Sequence, residues 1–260
     1  MAWWGKLIGG TLGFLVGGPL GALLGASFGH NFDAGGSARG GFRPLPGDQE
    51  RIQTAFFTAT FSVMGYVAKA DGRVTREEID LANALMNEMQ LVPEQRKLAQ
   101  ELFNQGKQDG FDFDAVVSQF KMECHRRTTL IRMFLEIQVQ AAFADQRLDP
   151  KENKVLQVLA QSLGFSQAQL DQIIDMVQGS AHTHEHPDRM DLVDAYAILG
   201  VKANTPLAEI KKAYRRLLSQ HHPDKLVSRG LPEEMIRLAN EKTHEIQQAW
   251  NKIKESRPAH

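Results

Sequence analysis

The chain has 260 residues, 42% hydrophobic and 23% charged, enough to bury two small cores and carry an appendage. Its 30 basic and 31 acidic side chains nearly cancel, so no global attraction to nucleic acid or anionic lipid is expected and only local patches can act. The single cysteine, Cys124, excludes an intramolecular disulfide and any zinc site built from paired CxxC motifs, and it fits a reducing compartment.

After a short stretch over residues 1–6, no formally charged side chain lies between Lys6 and Asp33, His30 aside. As a helix, Leu7 to Gly29 would rise about 1.5 Å per residue and reach across a hydrocarbon core of about 30 Å. Gly9, Gly13, Gly17, Gly21, Gly25 and Gly29 recur at every fourth position, a smooth stripe on which a second helix can pack closely. Other readings fit parts of this segment. It has small residues near Ala26 and Ser27, as a cleaved signal peptide would, although its apolar run is long for one. Glycine is a poor helix former, which suits a flexible tail. Gly17, Gly18 and Pro19 could break it into a helical hairpin. Length and absence of charge favour one spanning anchor over residues 7–30 that pairs with a second copy of itself and contacts membrane lipid. Arg39, Arg43 and Arg51 follow it, whereas Lys6 and the terminal amine precede it, so the positive-inside rule leans toward a cytoplasmic carboxyl terminus.

Residues 31–48, rich in Gly, Pro and Ser from Ala34 to Gly47, read as a linker. From there to residue 178 the pattern is helical throughout: Leu130, Phe134, Ile137 and Ala141 fall at helical spacing, as do Val155, Leu159 and Leu163. An all-α domain over residues 49–178 is expected. It contains a weak internal repeat, in which Ala70–Glu78 aligns with Ala144–Glu152. Each copy ends one apolar helix, turns and starts another. Thr75 with Glu78 makes a candidate capping box, and Asp149 a candidate N-cap with Pro150 at N1 and Glu152 at N3. Asp71, Glu78, Asp145, Asp149 and Glu152 could also hold a cation, but a calcium loop needs a denser row of oxygen ligands, which favours capping. The repeat resembles the TerB-like helical domain, which carries acidic loops of this kind.

Residues 179–193 are expected to form a polar linker, in which His182, His184 and His186 are more simply solvated than metal-bound. Over residues 194–257, Tyr196, Leu199 and Val201 suggest a short helix stopped at Gly200. Thr205 and Pro206 suit the N-cap and N1 of a second helix that would bury Ile210, Ala213, Tyr214, Leu217 and Leu218. Lys211, Lys212, Arg215 and Arg216 line its outer face. Proline forbids that helix to continue past His222-Pro223-Asp224, so a protruding loop presents an imidazole and a carboxylate. A polar loop and a third helix through Met235, Leu238, Ile246 and Ala249 follow, with Trp250 and Ile253 closing the core.

These residues resemble the J-domain family. Tyr196 to Val201 (YAILGV), Ile210 to Leu217 (IKKAYRRL), His222-Pro223-Asp224 and Gln248-Ala249-Trp250 occur in the family's order. The earlier His186-Pro187-Asp188 lacks a preceding basic helix and reads as a decoy. The resemblance implies that the loop and the basic helix engage a DnaK-type chaperone and promote its ATP hydrolysis, with the four cations steering an acidic partner surface. Two features depart from the family: Lys242-Thr243-His244 replaces a run with a central buried aromatic, and the loop from Lys225 to Pro232 is unusual.

The whole arrangement (glycine-striped transmembrane helix, TerB-like bundle, carboxyl-terminal J-domain helical hairpin) is similar to the DnaJ-like membrane-anchored co-chaperones. That resemblance implies a bacterial inner-membrane protein with a short periplasmic amino terminus, a homodimer, and a link to envelope-stress phosphorelay signalling and capsule polysaccharide synthesis. A regulatory co-chaperone with no active site and no cofactor is expected. The alternative is a membrane scaffold whose bundle carries the function and whose J-domain only recruits. An enzyme ranks last, since no phosphate loop, HExxH or Ser/His/Asp constellation stands out and Cys124 beside His125 suits core or surface better than a nucleophile.

Overall fold

The computed structural model describes residues 18–26, 48–70, 72, 74–143, 148–185 and 190–257, and every regular element among them is helical. A short helix α1 covers residues 18–26. The bundle comprises α2 (Asp48–Ala68), α3 (Arg76–Glu88), α4 (Pro93–Gly106), α5 (Phe113–Glu123), α6 (Thr128–Ala142), α7 (Pro150–Leu163) and α8 (Gln167–Glu185). The carboxyl-terminal module follows with α9 (Leu192–Ile198), α10 (Leu207–His221), α11 (Pro223–Val227), a 3-10 turn (Glu233–Met235) and α12 (Ile236–Ser256).

Helix α2 is the bundle's axle. It is buried on all sides from Ala55 to Gly65, as a helix apolar all round must be. Two of its interior hydroxyls are satisfied locally, Thr60 Oγ1 donating to the Phe56 carbonyl at 2.7 Å and Ser62 Oγ to that of Thr58 at 2.8 Å, whereas the buried Thr58 Oγ1 has no partner among the described residues. Phe56, Phe120 and Phe134, from α2, α5 and α6, meet in one aromatic knot and are each fully buried. Helix α4 crosses α2 with backbones in contact. A Cβ at Gly65 would lie 2.0 Å from the Phe103 carbonyl oxygen, and one at Gly106 would lie 1.8 Å from that of Ser62. Only glycine fits either place.

Of the expected anchor over residues 7–30, residues 7–17 and 27–30 lie outside the described residues, as do Gly9, Gly13, Gly17 and Gly29 of the stripe. Gly21 and Gly25 lie within α1. The backbone at Gly18 is left-handed, with φ 63°, where a break was weighed. Leu20 is 3% exposed, its N–H donates to Gln119 Oε1 of α5 at 2.8 Å, and Leu23 and Leu24 pack on the bundle. Among the described residues no helix is long and apolar enough to cross a membrane.

Two sequence expectations need correction. The linker placed over residues 179–193 is helical as far as Glu185, because α8 continues against α9. Gly179 lies so close to α9 that a Cβ there would meet Ala197 Cβ at 2.9 Å, and Ser180 Oγ accepts from Lys242 Nζ of α12 at 2.9 Å. Polar and histidine-rich composition hid a helix whose partners are distant in sequence. The second correction concerns the polar loop after the tripeptide. Residues 223–227 form α11, and Leu226, Leu231, Met235 and Ala239 plug into the bundle's own core, all fully buried. Gln49 and Gln53 of α2 donate to the carbonyls of Val227 and Leu231 at 3.4 and 3.5 Å, and Arg229 bonds Thr129. Burying such a Leu or Met side chain contributes about 1.5–3 kcal/mol, so the module is firmly seated. The unusual stretch Lys225–Pro232 is the seam between the two parts.

Candidate chaperone-docking site

Helix α10 has one buried and one solvated face. Ile210, Ala213 and Leu217 are buried, while Tyr214 stacks on Trp250 of α12 with centroids 5.1 Å apart and Leu218 is half-covered. Ile246, Ala249 and Ile253 of α12, Ala195, Ile198 and Leu199 of the α9 region, and Met176 of α8 complete that core. Thr205 and Pro206 sit one place earlier than expected. Pro206 is the N-cap, Leu207 opens the helix, and Thr205 Oγ1 accepts from Lys202 N at 3.1 Å. The stop at Gly200 is as expected, with φ 61° and a Val201 N–H to Tyr196 carbonyl bond of 3.0 Å.

Lys211, Lys212, Arg215 and Arg216 are all exposed on the outer face, and among the described residues none of them is ion-paired with an acid. At the end of α10 the chain turns on His222, which has φ −62° and ψ 122° because proline at the next position disfavours helical backbone before it. Pro223 then occupies N1 of α11, where a missing N–H costs nothing. The His222 carbonyl accepts from Lys225 N and Leu226 N, each at 3.1 Å, so one residue ends one helix and caps the next. The side chains of His222 and Asp224 are 51% and 92% exposed, with Nδ1 and Oδ2 4.0 Å apart. Six of the seven expected docking residues are thus exposed along α10 and the tripeptide that follows it, and Pro223 is half-buried.

Three residues behind this surface, His221, Glu136 and Arg132, were not singled out from the sequence. His221 is 2% exposed, and its Nε2 lies 2.7 Å from Oε2 of Glu136 on α6. The other carboxylate oxygen of Glu136 accepts from Arg132 Nε at 2.8 Å. Thr243 Oγ1 donates to the His221 carbonyl at 3.0 Å, which supplies a role for the residue standing where an aromatic was expected. The available signals were an acid in the apolar run from Leu130 to Val139 and a histidine doubled before the tripeptide. Burial by itself would raise the Glu136 carboxyl, but the attraction and hydrogen bond of His221, then Arg132 and Lys242, outweigh it and hold the group at about 2. A carboxyl lowered by folding contributes stability that is complete above its unfolded value and is lost as pH falls through the folded one. Acid titration followed by circular dichroism should therefore show wild type losing stability between about pH 4.5 and about pH 2, with Glu136→Gln less stable at neutral pH and flatter across that window.

The acidic loops divide differently. Asp149 caps α7, accepting from Lys151 N at 2.7 Å, and its own N–H donates to Glu152 Oε2 at 3.3 Å. Asp71, Asp145 and the Glu78 side chain lie outside the described residues, and no group able to hold a metal occurs among the described ones. Cys124 is wholly buried, and burial pushes its thiol up to about 12. His186 and the second tripeptide also lie outside the described residues.

Three family models match in chain order: the Co-chaperone DjlA transmembrane domain over residues 1–40, Tellurite resistance protein TerB over residues 57–175, and the DnaJ domain over residues 194–258. The chain is 42% identical to a Co-chaperone protein DjlA of Photobacterium profundum, covering 98% of this chain and 99% of that one. It is 42% identical to one of Shewanella oneidensis and 43% identical to one of Escherichia coli K12, each over 99% of both chains. No solved structure matches it significantly. A transmembrane domain, a TerB bundle and a J-domain in this order, with identity over the full length, place the chain in the DjlA family of membrane-anchored J-domain co-chaperones.

Proposed function

We propose that the chain stimulates ATP hydrolysis by a DnaK-type chaperone, acting from a bacterial inner membrane with its short amino terminus periplasmic and its body cytoplasmic. One observation carries the reading: His222 and Asp224 stand exposed at the end of the helix that carries the four exposed cations, even though the module is seated in the bundle. The hydrolytic chemistry happens on the partner; this chain presents an imidazole, a carboxylate and positive charge to it. The resemblance to the DnaJ-like membrane-anchored co-chaperones supports a role in envelope-stress phosphorelay signalling and capsule polysaccharide synthesis. The test is single-turnover ATP hydrolysis by the chaperone with the full-length chain in lipid nanodiscs. Stimulation should be lost in His222→Gln, and a folded wild type that gives none would refute the reading.

The glycine stripe is proposed to pair two copies in the bilayer. Leucine at Gly13, Gly17 and Gly21 together should weaken self-association in a membrane reporter, and unchanged association would remove a glycine-mediated dimer. A scaffold role for the bundle has one observation in its favour, an open cavity of about 520 Å³ with Tyr66, Phe111, Phe113 and Val158 on its walls and Lys151 and Lys154 among its lining residues. Under that reading His222→Gln would spare the cellular effect.

A further inference from the structure

His221 stands one residue before the exposed His222, yet it is buried between α10 and α6. Its Nδ1 lies 2.9 Å from the Leu217 carbonyl oxygen, a group that can only accept. Its Nε2 faces the Glu136 carboxylate at 2.7 Å. The Leu217 carbonyl can only accept, so Nδ1 donates to it, and the other ring nitrogen meets the Glu136 carboxylate. Arg132 holds the other oxygen of Glu136, so the carboxylate is fixed within its own helix before it grips the histidine. The His221 carbonyl is taken by Thr243 of α12. The last residue of α10 is therefore tied to the bundle by its side chain and to α12 by its backbone, and the tripeptide begins at the next atom of the chain.

We infer that Glu136 is a positioning residue for the His222-Pro223-Asp224 loop: the bundle, through Glu136 and His221, fixes the direction in which that loop leaves α10. The inference rests on the co-chaperone reading above. It makes the bundle part of the working surface, although no bundle side chain need touch the chaperone.

The experiment is the same single-turnover assay, titrated with the full-length chain in nanodiscs. Glu136→Gln keeps the shape and one acceptor but removes the charge. Maximal stimulation should fall about 10-fold or more, since small misplacements of a reacting surface have effects of this size. The half-saturating concentration should move little, because the cations of α10 are untouched. The imidazole Nε2 chemical shift of His221 should change in the variant while Nδ1 keeps its N–H on the Leu217 carbonyl. A triple variant, Arg132→Met with Glu136→Leu and His221→Leu, replaces the whole cluster by apolar side chains and can recover stability through packing. Recovered melting temperature without recovered stimulation supports positioning; recovery of both overturns it. If wild type stimulates, His222→Gln does not, and Glu136→Gln matches wild type, this inference fails while the co-chaperone reading stands. If wild type gives no stimulation, that reading fails first.

Discussion

Replacing Lys211, Lys212, Arg215 and Arg216 together by glutamate should slow association with the chaperone about 100-fold at low salt while leaving the maximal stimulated rate largely intact. The four side chains share the exposed face of α10, where Glu209 in the first turn is the one acid. Long side chains in water gain little from any single contact, so their joint field is the larger effect and acts during approach. Half-saturating concentration against ionic strength is the measurement. Wild type should rise steeply with salt and the reversed variant should be flat or fall, because a screening length of about 8 Å at physiological salt removes most of the field. Unaltered affinity with a lost maximal rate would instead place these cations in the bound geometry. The variant should also fold, since none of the four contributes to either buried core.

This surface was the most legible part of the chain, and the reason is local. The basic face of α10, the stop imposed by Pro223 and the exposed imidazole and carboxylate all follow from residues within a few turns of one another. The same holds for the capping box at Asp149 and Glu152, which needs only three positions. The helices of the bundle were readable from apolar spacing; Leu130, Phe134, Ile137 and Ala141 are all buried as that spacing requires. What the pattern could not carry was pairing across long separations. His221 and Glu136 are 85 residues apart, Gln53 and Leu231 are 178 apart, and each side chain is ordinary in its own neighbourhood. Leu226 and Leu231 fall in the stretch read as a polar loop, because the core they fill belongs to another segment. Residues 179–185 failed for the same cause: a helix of mixed polarity is recognisable only beside the α9 that covers it. Met235 and Leu238, expected along the third helix with Ile246 and Ala249, pack on the bundle's core, and Met235 lies in the 3-10 turn before that helix, since periodicity shows that a residue is buried but not against what.

Phe134→Ala should lower the stability of the folded body by about 3–5 kcal/mol, a shift of about 10 °C in melting temperature for a body of this size. The ring is fully buried and lies 4.3 Å from that of Phe120 and 6.1 Å from that of Phe56, centroid to centroid. Truncation leaves a cavity walled by two other rings on two other helices, and packing this tight collapses only in part. Phe134→Leu keeps most of the volume and should cost under about 1.5 kcal/mol. The informative feature is the number of transitions. Leu226, Leu231, Met235 and Ala239 belong to the same core as Phe134, and Met176 of α8 belongs to the core of the J-domain. Bundle and J-domain should therefore melt together in the variant as in wild type, with the far-ultraviolet signal and the fluorescence of Trp250, read in a Trp3→Phe, Trp4→Phe background, moving at one temperature. A Trp250 transition left at the wild-type temperature while the bundle melts early would mean that the two parts unfold independently, and that the shared core does not couple them.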